Sequence, residues 1–119
     1  MEEHALLLVE GAEGKELRQA LEKEGYRPIL ADSVELFNEK KMADGIGVVI
    51  LDLDLPVITN QFVSNLKKKT KAWIIGISSQ KYHPHLAQAL RSDLFGVVSK
   101  PLDYAELFYC MKCVEDGRQ

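Results

Sequence analysis

The chain of 119 residues has few of the features that mark secreted or membrane-spanning proteins. It contains only two cysteines, Cys110 and Cys113, which are too few and too close in sequence to staple a secreted domain. No run of about 18 apolar residues is present to cross a bilayer, and the first four residues lack the basic and apolar parts of an export signal. These absences predict a cytoplasmic protein that does not enter a membrane.

An excess of positive charge is also absent, because 15 lysines and arginines stand against 18 aspartates and glutamates, for a net charge of -3. Such a chain has no general attraction for nucleic acid or anionic lipid, so we expect neither as a direct partner. Its 46% hydrophobic and 28% charged residues are ordinary for a globular protein. The length suits one continuous core, and we expect residues 1–119 to form a single domain.

Short apolar runs rich in leucine, isoleucine and valine alternate along the chain with amphipathic segments of helical spacing. The runs predict strands, because each is too short for a typical helix and is bounded by polar residues or glycine. Since they are nearly all apolar, they suit a parallel sheet that is covered on both faces. The predicted strands are residues 5–9, 27–31, 47–51, 73–77 and 95–98, and the predicted helices are residues 15–24, 34–41, 60–69, 84–92 and 104–115.

Residues at the predicted helix ends support these boundaries. Gly25 offers the left-handed conformation that commonly follows the end of a helix. Asp32 with Glu35, and Asp103 with Glu106, place a capping carboxylate and a second acid at two helix starts.

Pro28 counts against the assignment of residues 27–31 as a strand. Proline cannot donate a hydrogen bond to a ladder and is tolerated mainly at a sheet edge. A doubly wound sheet of order 2-1-3-4-5 places the second strand at an edge, where this proline is permitted. The pattern therefore predicts an α/β fold, a flavodoxin-like doubly wound (βα)5 three-layer sandwich with a parallel five-stranded sheet in that order.

Polar residues follow several of the predicted strands at their carboxyl ends. In an open parallel sheet the ligand crevice lies beyond these ends, near the point where the strand order reverses. A single acid in such a place is usually a solvated loop residue or a helix cap. Complementary groups at successive strand ends instead indicate a site, and here they are Glu10, Asp52, Ser78 with Ser79, and Ser99 with Lys100 and Pro101.

Three segments in register resemble the receiver domain of bacterial response regulators, and the similarity extends over the whole chain. The first resembles the phosphoacceptor strand, in which an apolar run ends in an aspartate, here Asp52, and a proline, Pro56, follows four residues later. The second resembles the strand that carries a switch serine or threonine, here Ser78. The third resembles the family's lysine–proline end, with Lys100 and a usually cis peptide before Pro101. These segments are residues 49–56, 74–79 and 96–101.

The resemblance implies a specific chemistry. Asp52 would accept a phosphoryl group from a sensor histidine kinase or phosphotransfer protein, with little covalent help beyond positioning and charge neutralisation. Lys100 would pair with the carboxylate or the phosphoryl oxygens, and the Ser78 hydroxyl would donate to a phosphoryl oxygen. Mg²⁺ would be held by Glu10, by Asp52 and by the main-chain carbonyl of Asp54.

The same resemblance implies a signalling module instead of a conventional enzyme. We expect the last strand and the last two helices to carry the signal, either to an output domain outside this segment or to a second copy of the chain. The aromatic residue that the family commonly places three positions before the lysine is replaced here by Val97. Phe95 lies two residues earlier on the same strand face.

The chain departs from the family pattern in the metal pocket. The family has two adjacent acids after the first strand, whereas here Glu10 is followed by Gly11, so the usual direct metal ligand is missing. We expect weaker Mg²⁺ binding, because a hard cation depends on anionic oxygens. Glu13 or the side chain of Asp54 could substitute, although nothing in the sequence requires it.

Three other groups receive a structural interpretation in preference to a functional one. We expect surface histidines beside a helix start, buried small cysteines late in a helix, and a solvated basic helix end. These are His83 with His85, Cys110 with Cys113, and Lys67 with Lys68 and Lys69.

Two alternative functions stay open at this point. A degenerate receiver would keep the fold and bind proteins without being phosphorylated, and Gly11 favours that interpretation. A small phosphatase that resembles the haloacid dehalogenases would use Asp52 and Asp54 with Ser78 and Lys100. Those enzymes usually begin with the aspartate strand and need further acids after the lysine, and 119 residues leave little room for their cap.

Overall fold

Strands and helices alternate throughout this computed structural model, which describes residues 4–41, 45–80 and 83–117. Residues 84–93 form an irregular helical segment, made of a 3-10 turn, Pro84–Leu86, and a π-helical turn, Ala89–Asp93. The regular elements are β1 (His4–Leu8), α1 (Gly11–Lys23), β2 (Arg27–Ala31), α2 (Val34–Lys40), β3 (Ile46–Asp52), α3 (Asn60–Thr70), β4 (Trp73–Ser78), β5 (Gly96–Ser99) and α4 (Tyr104–Gly117).

The five strands form one parallel sheet of order β2-β1-β3-β4-β5, which confirms the predicted fold class and topology. The apolar runs of β1 and β3 lie inside the sheet and are buried over nearly their whole length. Pro28 lies in the edge strand β2, opposite Ala5 of β1. Because an edge strand pairs on one side only, it tolerates a residue without an amide donor.

The sheet divides the core into two apolar clusters, as expected for a three-layer sandwich. Alternate side chains of each strand point to opposite faces, so β1, β2, β3 and β4 contribute to both clusters. The cluster on the α2–α3 face includes Phe37 and Leu66, and the cluster on the α1–α4 face includes Leu17, Leu107 and Met111. Full burial of one such side chain contributes roughly 1.5–3 kcal/mol to stability.

Helix α1 begins at Gly11, four residues before the predicted start. The apolar periodicity that predicts a helix begins only at Leu17, so the first turn carries no such signal. Gly14 lies against the end of β1, where a Cβ atom would lie 2.4 Å from the carbonyl oxygen of Val9. Only glycine allows this close approach, and it holds the first turn of α1, including Glu13, at the carboxyl edge of the sheet.

The helix boundaries confirm two of the predicted end signals and correct a third. Gly25 follows α1 with a φ of +91°, as expected. The Asp103 carboxylate accepts the amides of Ala105 and Glu106 at 3.0 and 3.3 Å, as a helix cap does. At α2 the cap is Ser33 and not Asp32, because the serine directly precedes the helix and its Oγ accepts the amide of Leu36 at 3.2 Å.

The helix predicted over residues 84–92 is present, but its geometry is irregular. The side chain of Asn60 accepts the Ala89 amide at 2.9 Å, which removes that donor from the local helical ladder. Further on, the Leu94 amide donates to the carbonyl of Ala89 at 2.9 Å, the five-residue spacing of a π-turn. Strand β5 then begins at Gly96, one residue later than predicted, and Phe95 packs edge-on against Trp73 with ring centroids 5.4 Å apart.

Across the three described ranges, no helix is both long enough and apolar enough to span a bilayer.

Candidate functional site

Three of the residues predicted to form a site, Asp52, Ser78 and Lys100, meet at the carboxyl edge of the sheet. Asp52 is the last residue of β3, Ser78 is the last residue of β4, and Lys100 follows β5. The strands are in register here, with Asp52 opposite Ile77 and Ser78 opposite Ser99. The Lys100 amide donates to the carbonyl of Ser78 at 2.8 Å, so the backbone of Lys100 is held beside the end of β4.

The Lys100 ammonium is the centre of the site. Its Nζ atom lies 2.8 Å from Oδ1 of Asp52, 3.1 Å from Oδ2 of Asp54 and 3.1 Å from Oε1 of Glu13. An ammonium has three N–H donors, and three carboxylates are available to accept them. Burial alone would lower the pKa of Lys100, but the hydrogen bonds to Asp52, Asp54 and Glu13 outweigh it and raise the pKa. The lysine therefore stays charged at neutral pH.

Asp52 is buried, with 6% of its surface exposed. Its Oδ1 atom accepts from Nζ of Lys100 at 2.8 Å and from the amide of Asp54 at 3.0 Å. Both hydrogen bonds found for this carboxylate among the described residues end on Oδ1. Oδ2 is therefore the oxygen that is left to attack an electrophile.

Asp54 is held between Lys100 and the residue after β4. Its Oδ2 atom accepts from Oγ of Ser79 at 2.8 Å and from the Ser79 amide at 3.1 Å. Burial would raise the pKa of Asp54, but the hydrogen bonds from Ser79 and Lys100, together with the lysine charge, lower it. Asp54 is therefore ionised at neutral pH and adds a second carboxylate beside Asp52.

Ser78 is buried at the end of β4 and contacts a residue that sequence reasoning assigned to the surface. Its Oγ atom lies 3.3 Å from Oδ1 of Asp54, and it also forms a hydrogen bond with Nε2 of His83. The prediction of a surface histidine is wrong for His83, which is 4% exposed, although His85 is exposed as expected. The adjoining 3-10 turn buries Leu86 and turns His83 inward, and no periodicity in the sequence signals such a turn.

The two glutamates near the start of α1 differ in position. Glu10 is the exposed residue before the helix, and its side chain makes no capping hydrogen bond. Within the described part of the chain, no hydrogen bond or ion pair links Glu10 to the site. Glu13, which the sequence offered only as a substitute, lies in the first helical turn and pairs with Lys100.

The donor set has the chemistry that Mg²⁺ prefers, but its oxygens face the lysine. Carboxylate oxygens are hard ligands, and three carboxylates exceed the charge of one ammonium, so the site is anionic overall. In the ranges that the structure describes, no group of three or more acids, histidines or cysteines is spaced to hold a metal ion. The site thus fits a divalent cation by ligand type and charge, and the carboxylates must turn from Lys100 to bind one.

The remaining sequence expectations have mixed outcomes. The peptide between Lys100 and Pro101 is cis, as the resemblance implied. Cys110 and Cys113 are free and only partly buried instead of fully buried, and burial, followed by Cys113 and Glu106, raises the pKa of the Cys110 thiol. The three lysines at the end of α3 are exposed as expected, and one of them, Lys67, donates to the Ser92 carbonyl at 3.1 Å.

Comparison with known families decides the classification. The sequence profile of the response regulator receiver domain matches residues 11–112. The chain belongs to this family. Among curated protein sequences, none matches the chain significantly.

Solved receiver structures share the fold over nearly the full length. A response regulator receiver domain protein from Clostridium thermocellum has 17% identity and a TM-score of 0.83, covering 99% of this chain and 97% of that one. A CheY-like receiver domain protein from Methanospirillum hungatei JF-1 has 17% identity and a TM-score of 0.84, covering 98% and 96%. The non-phosphorylated HemR receiver domain from Leptospira biflexa has 21% identity and a TM-score of 0.78, covering 95% and 94%.

Receiver domains are generally modules of two-component signalling and not conventional enzymes. Receiver domains interact with histidine kinases or phosphotransfer proteins, and phosphorylation and Mg²⁺ are general features of the family. These matches favour neither the phosphorylation-independent module nor the haloacid-dehalogenase-like phosphatase.

Proposed function

We propose that this receiver domain accepts a phosphoryl group on Asp52 from a phosphohistidine of a sensor histidine kinase or phosphotransfer protein. The observation that carries the proposal is the 2.8 Å pairing of Asp52 Oδ1 with Lys100 Nζ at the end of the central strand. That pairing orients the carboxylate and leaves Oδ2 free, at the edge of the sheet where a ligand crevice is expected.

In the proposed step, Asp52 Oδ2 forms a bond to phosphorus while the phosphorus–nitrogen bond of the donor histidine breaks. The electron pair of that bond stays on the donor imidazole, which takes up a proton. Such transfers depend mainly on positioning and on neutralising the phosphoryl oxygens. Lys100 is already 2.8 Å from Asp52, so it needs little movement to reach a phosphoryl oxygen, and Ser78 supplies a neutral donor from the next strand.

Mg²⁺, when bound, supplies additional positive charge to the phosphoryl oxygens. We propose that Asp52 and Asp54 hold it, with Glu13 as an acid within reach in addition to the predicted Glu10. Support comes from the ion pairs that already gather Asp52, Asp54 and Glu13 around one ammonium. We expect the affinity to be low, because Gly11 replaces an acid and because the cation competes with Lys100.

The output surface that we propose consists of β5, the irregular segment and α4. Side chains on this part of the molecule include Phe95 at 38% exposure, Val97 at 40% and Tyr109 at 72%. Exposed aromatic and branched residues suit contact with a second copy or with an output domain. The cytoplasmic location and the single-domain extent over residues 1–119 stay predictions from the sequence.

Intact-mass analysis after incubation with Mg²⁺ and acetyl phosphate tests the acceptor. We expect a base-labile adduct of about 80 Da, one phosphoryl group, which disappears in Asp52→Ala. Asp103→Ala, which removes an exposed capping carboxylate, is the matched control and should retain the adduct. An equal yield in the presence of EDTA would contradict the metal part of the proposal.

Two results would overturn the acceptor itself. If no adduct forms even at high Mg²⁺ concentration, a phosphorylation-independent binding module is the better interpretation. If the protein turns over phosphate esters rapidly and repeatedly, a phosphatase is the better one.

A further inference from the structure

His83 lies behind the Ser78 hydroxyl and has no place in the step described above. The imidazole is 4% exposed, and its Nε2 atom forms a hydrogen bond with Oγ of Ser78. Its Nδ1 atom is buried without a hydrogen-bond partner in the described part of the chain. A buried imidazole with one nitrogen on a site hydroxyl has the position needed to control that hydroxyl.

The main chain fixes His83 in this position. The Leu86 amide donates to the His83 carbonyl at 2.8 Å, which closes the 3-10 turn that begins at Pro84. Leu86 is fully buried, so the turn is anchored in the core. His85 lies on the outer side of the turn, is exposed, and has its ring centroid 5.8 Å from that of His83.

The Ser78 hydroxyl has more neighbours than it can serve at once. Besides His83, its Oγ atom lies 3.0 Å from the Gln80 amide, 3.0 Å from the Gln80 carbonyl and 3.3 Å from Oδ1 of Asp54. A hydroxyl has one hydrogen to donate and two lone pairs to accept with. The Gln80 amide can only donate, so it occupies one lone pair whatever His83 does.

The tautomer of His83 decides where the hydroxyl hydrogen points. With the hydrogen on Nδ1, Ser78 must donate to Nε2, and nothing remains for Asp54 or for a phosphoryl oxygen. With the hydrogen on Nε2, the imidazole donates to Ser78, the second lone pair is filled, and the hydroxyl hydrogen is free for a third hydrogen bond. The second arrangement makes one hydrogen bond more, and buried polar groups favour the arrangement that satisfies most of them.

We propose that His83 is a positioning residue that keeps the Ser78 hydroxyl hydrogen available to the acceptor site. His83 and the Gln80 amide occupy both lone pairs of Oγ, so the hydroxyl hydrogen is released from His83 and donates either to the Gln80 carbonyl at 3.0 Å or to an oxygen of the site. In the free protein the acceptor on the site side is Asp54 Oδ1, and in the phosphorylated protein it is a phosphoryl oxygen. An imidazolium would donate from the same nitrogen and give the same arrangement. The inference rests on the proposed function, because it concerns the role of Ser78 in that step.

Imidazole nitrogen NMR tests the hydrogen-bond arrangement without any phosphorylation. We expect the long-range ¹H–¹⁵N spectrum to show His83 with a hydrogen on Nε2, either as that tautomer or as the imidazolium. His83→Gln removes the His83 signals and so assigns them. A neutral ring with its hydrogen on Nδ1 would overturn the inference.

Rate constants for phosphorylation by acetyl phosphate test the consequence for the site. We expect His83→Leu to react about fivefold more slowly, as for the loss of one neutral hydrogen bond. His83→Gln, whose side-chain amide can donate from a similar position, should stay within about twofold of the parent. His85→Leu, which changes the exposed neighbour, is the matched control and should react at the parent rate.

The double variant Ser78→Ala/His83→Leu separates positioning from a general structural role. If His83 acts through Ser78, replacing it in the Ser78→Ala background has no further effect on the rate. An equal slowing in both backgrounds, or a His83→Gln variant as slow as His83→Leu, would overturn the inference. If the parent protein forms no adduct, the proposed function fails, while the NMR result still decides whether His83 donates to Ser78.

Discussion

Replacing Lys100 with methionine should destabilise the fold at neutral pH and do so less in acid. Methionine keeps much of the apolar stem but removes the charge that pairs with Asp52, Asp54 and Glu13. Three carboxylates then remain close together without a counter-charge. Because the pKa of Lys100 is raised, the lysine charge contributes fully to the free energy of unfolding at any pH below the ordinary lysine pKa of 10.5. The contribution is therefore fully present at pH 7.

The size of the effect follows from burial. Removing one partner of a fully buried ion pair costs about 3–5 kcal/mol. Here the side chain of Lys100 is 15% exposed and that of Asp52 is 9% exposed, but those of Asp54 and Glu13 are 22% and 35% exposed and gain water. We therefore expect a loss of about 2–3 kcal/mol in the free energy of unfolding at pH 7.

The dependence on pH provides the sharper test. In the parent the pKa of Asp54 is lowered, so its contribution is present above the ordinary value of 3.8 and is lost as the pH falls below it. In Lys100→Met the Asp54 carboxylate has lost the lysine that helps to lower its pKa, so the variant loses less stability than the parent as the pH falls. The deficit should shrink below about 1 kcal/mol near pH 4.

Urea unfolding at pH 7 and pH 4 measures the loss of stability at neutral pH and its decrease in acid. The comparison requires that the slope of the free energy of unfolding against urea concentration is the same in parent and variant. Lys15→Met replaces an exposed lysine on α1 and should change stability by less than about 0.5 kcal/mol. A deficit under about 0.5 kcal/mol for Lys100→Met at pH 7 would show that the ion-pair cluster contributes little. An equal deficit at both pH values would refute the electrostatic explanation.

Two further predictions concern the helices on the α1–α4 face. Gly14→Ala should lower the free energy of unfolding by about 1–3 kcal/mol in urea, because the new methyl group meets the Val9 carbonyl oxygen at 2.4 Å. Gly117→Ala is its control and should have little effect, because no atom of the described residues lies within 4 Å of the added Cβ atom. Burial and then Glu115 raise the pKa of Tyr26 to about 12, so the unfolded chain loses this proton first and stability falls between pH 10 and 12. Tyr26→Phe should make that fall shallower when the urea midpoint is measured as a function of pH. The same fall in parent and variant would show that Tyr26 is not its cause.

The sheet was predictable because the amino-acid composition of each strand indicates whether the strand is buried in the sheet or lies at its edge. A run such as β3, buried on nearly every residue, can lie only in the interior of a covered parallel sheet. Pro28 then assigned β2 to an edge. The functional groups followed from the same logic, since Asp52, Ser78 and Lys100 stand where successive strands end.

The sequence offered Glu13 only as a substitute ligand and assigned His83 to the surface, because the positions of both residues depend on contacts without a periodic signal. Glu13 reaches Lys100 because Gly14 lets the first turn of α1 lie against β1. The sequence shows that a glycine is present, but it does not indicate which segment packs closely against it. His83 points inward because a 3-10 turn and a π-turn replace a regular helix. Asn60, 29 positions earlier in the chain, takes the Ala89 amide and so favours that irregular path.

The division of the core into two clusters has a consequence for the carboxyl edge of the sheet, because the site residues there point to both faces. Asp52 follows Ile50 by two positions and so points toward the α1–α4 face, whereas Ser78 follows Gly76 and Ile74 and points toward the α2–α3 face. A phosphoryl group that touched both residues would bridge two layers that the sheet otherwise keeps apart. The carboxyl edge is thus the place where a local change in charge can alter the balance of packing between the opposite sides of the molecule.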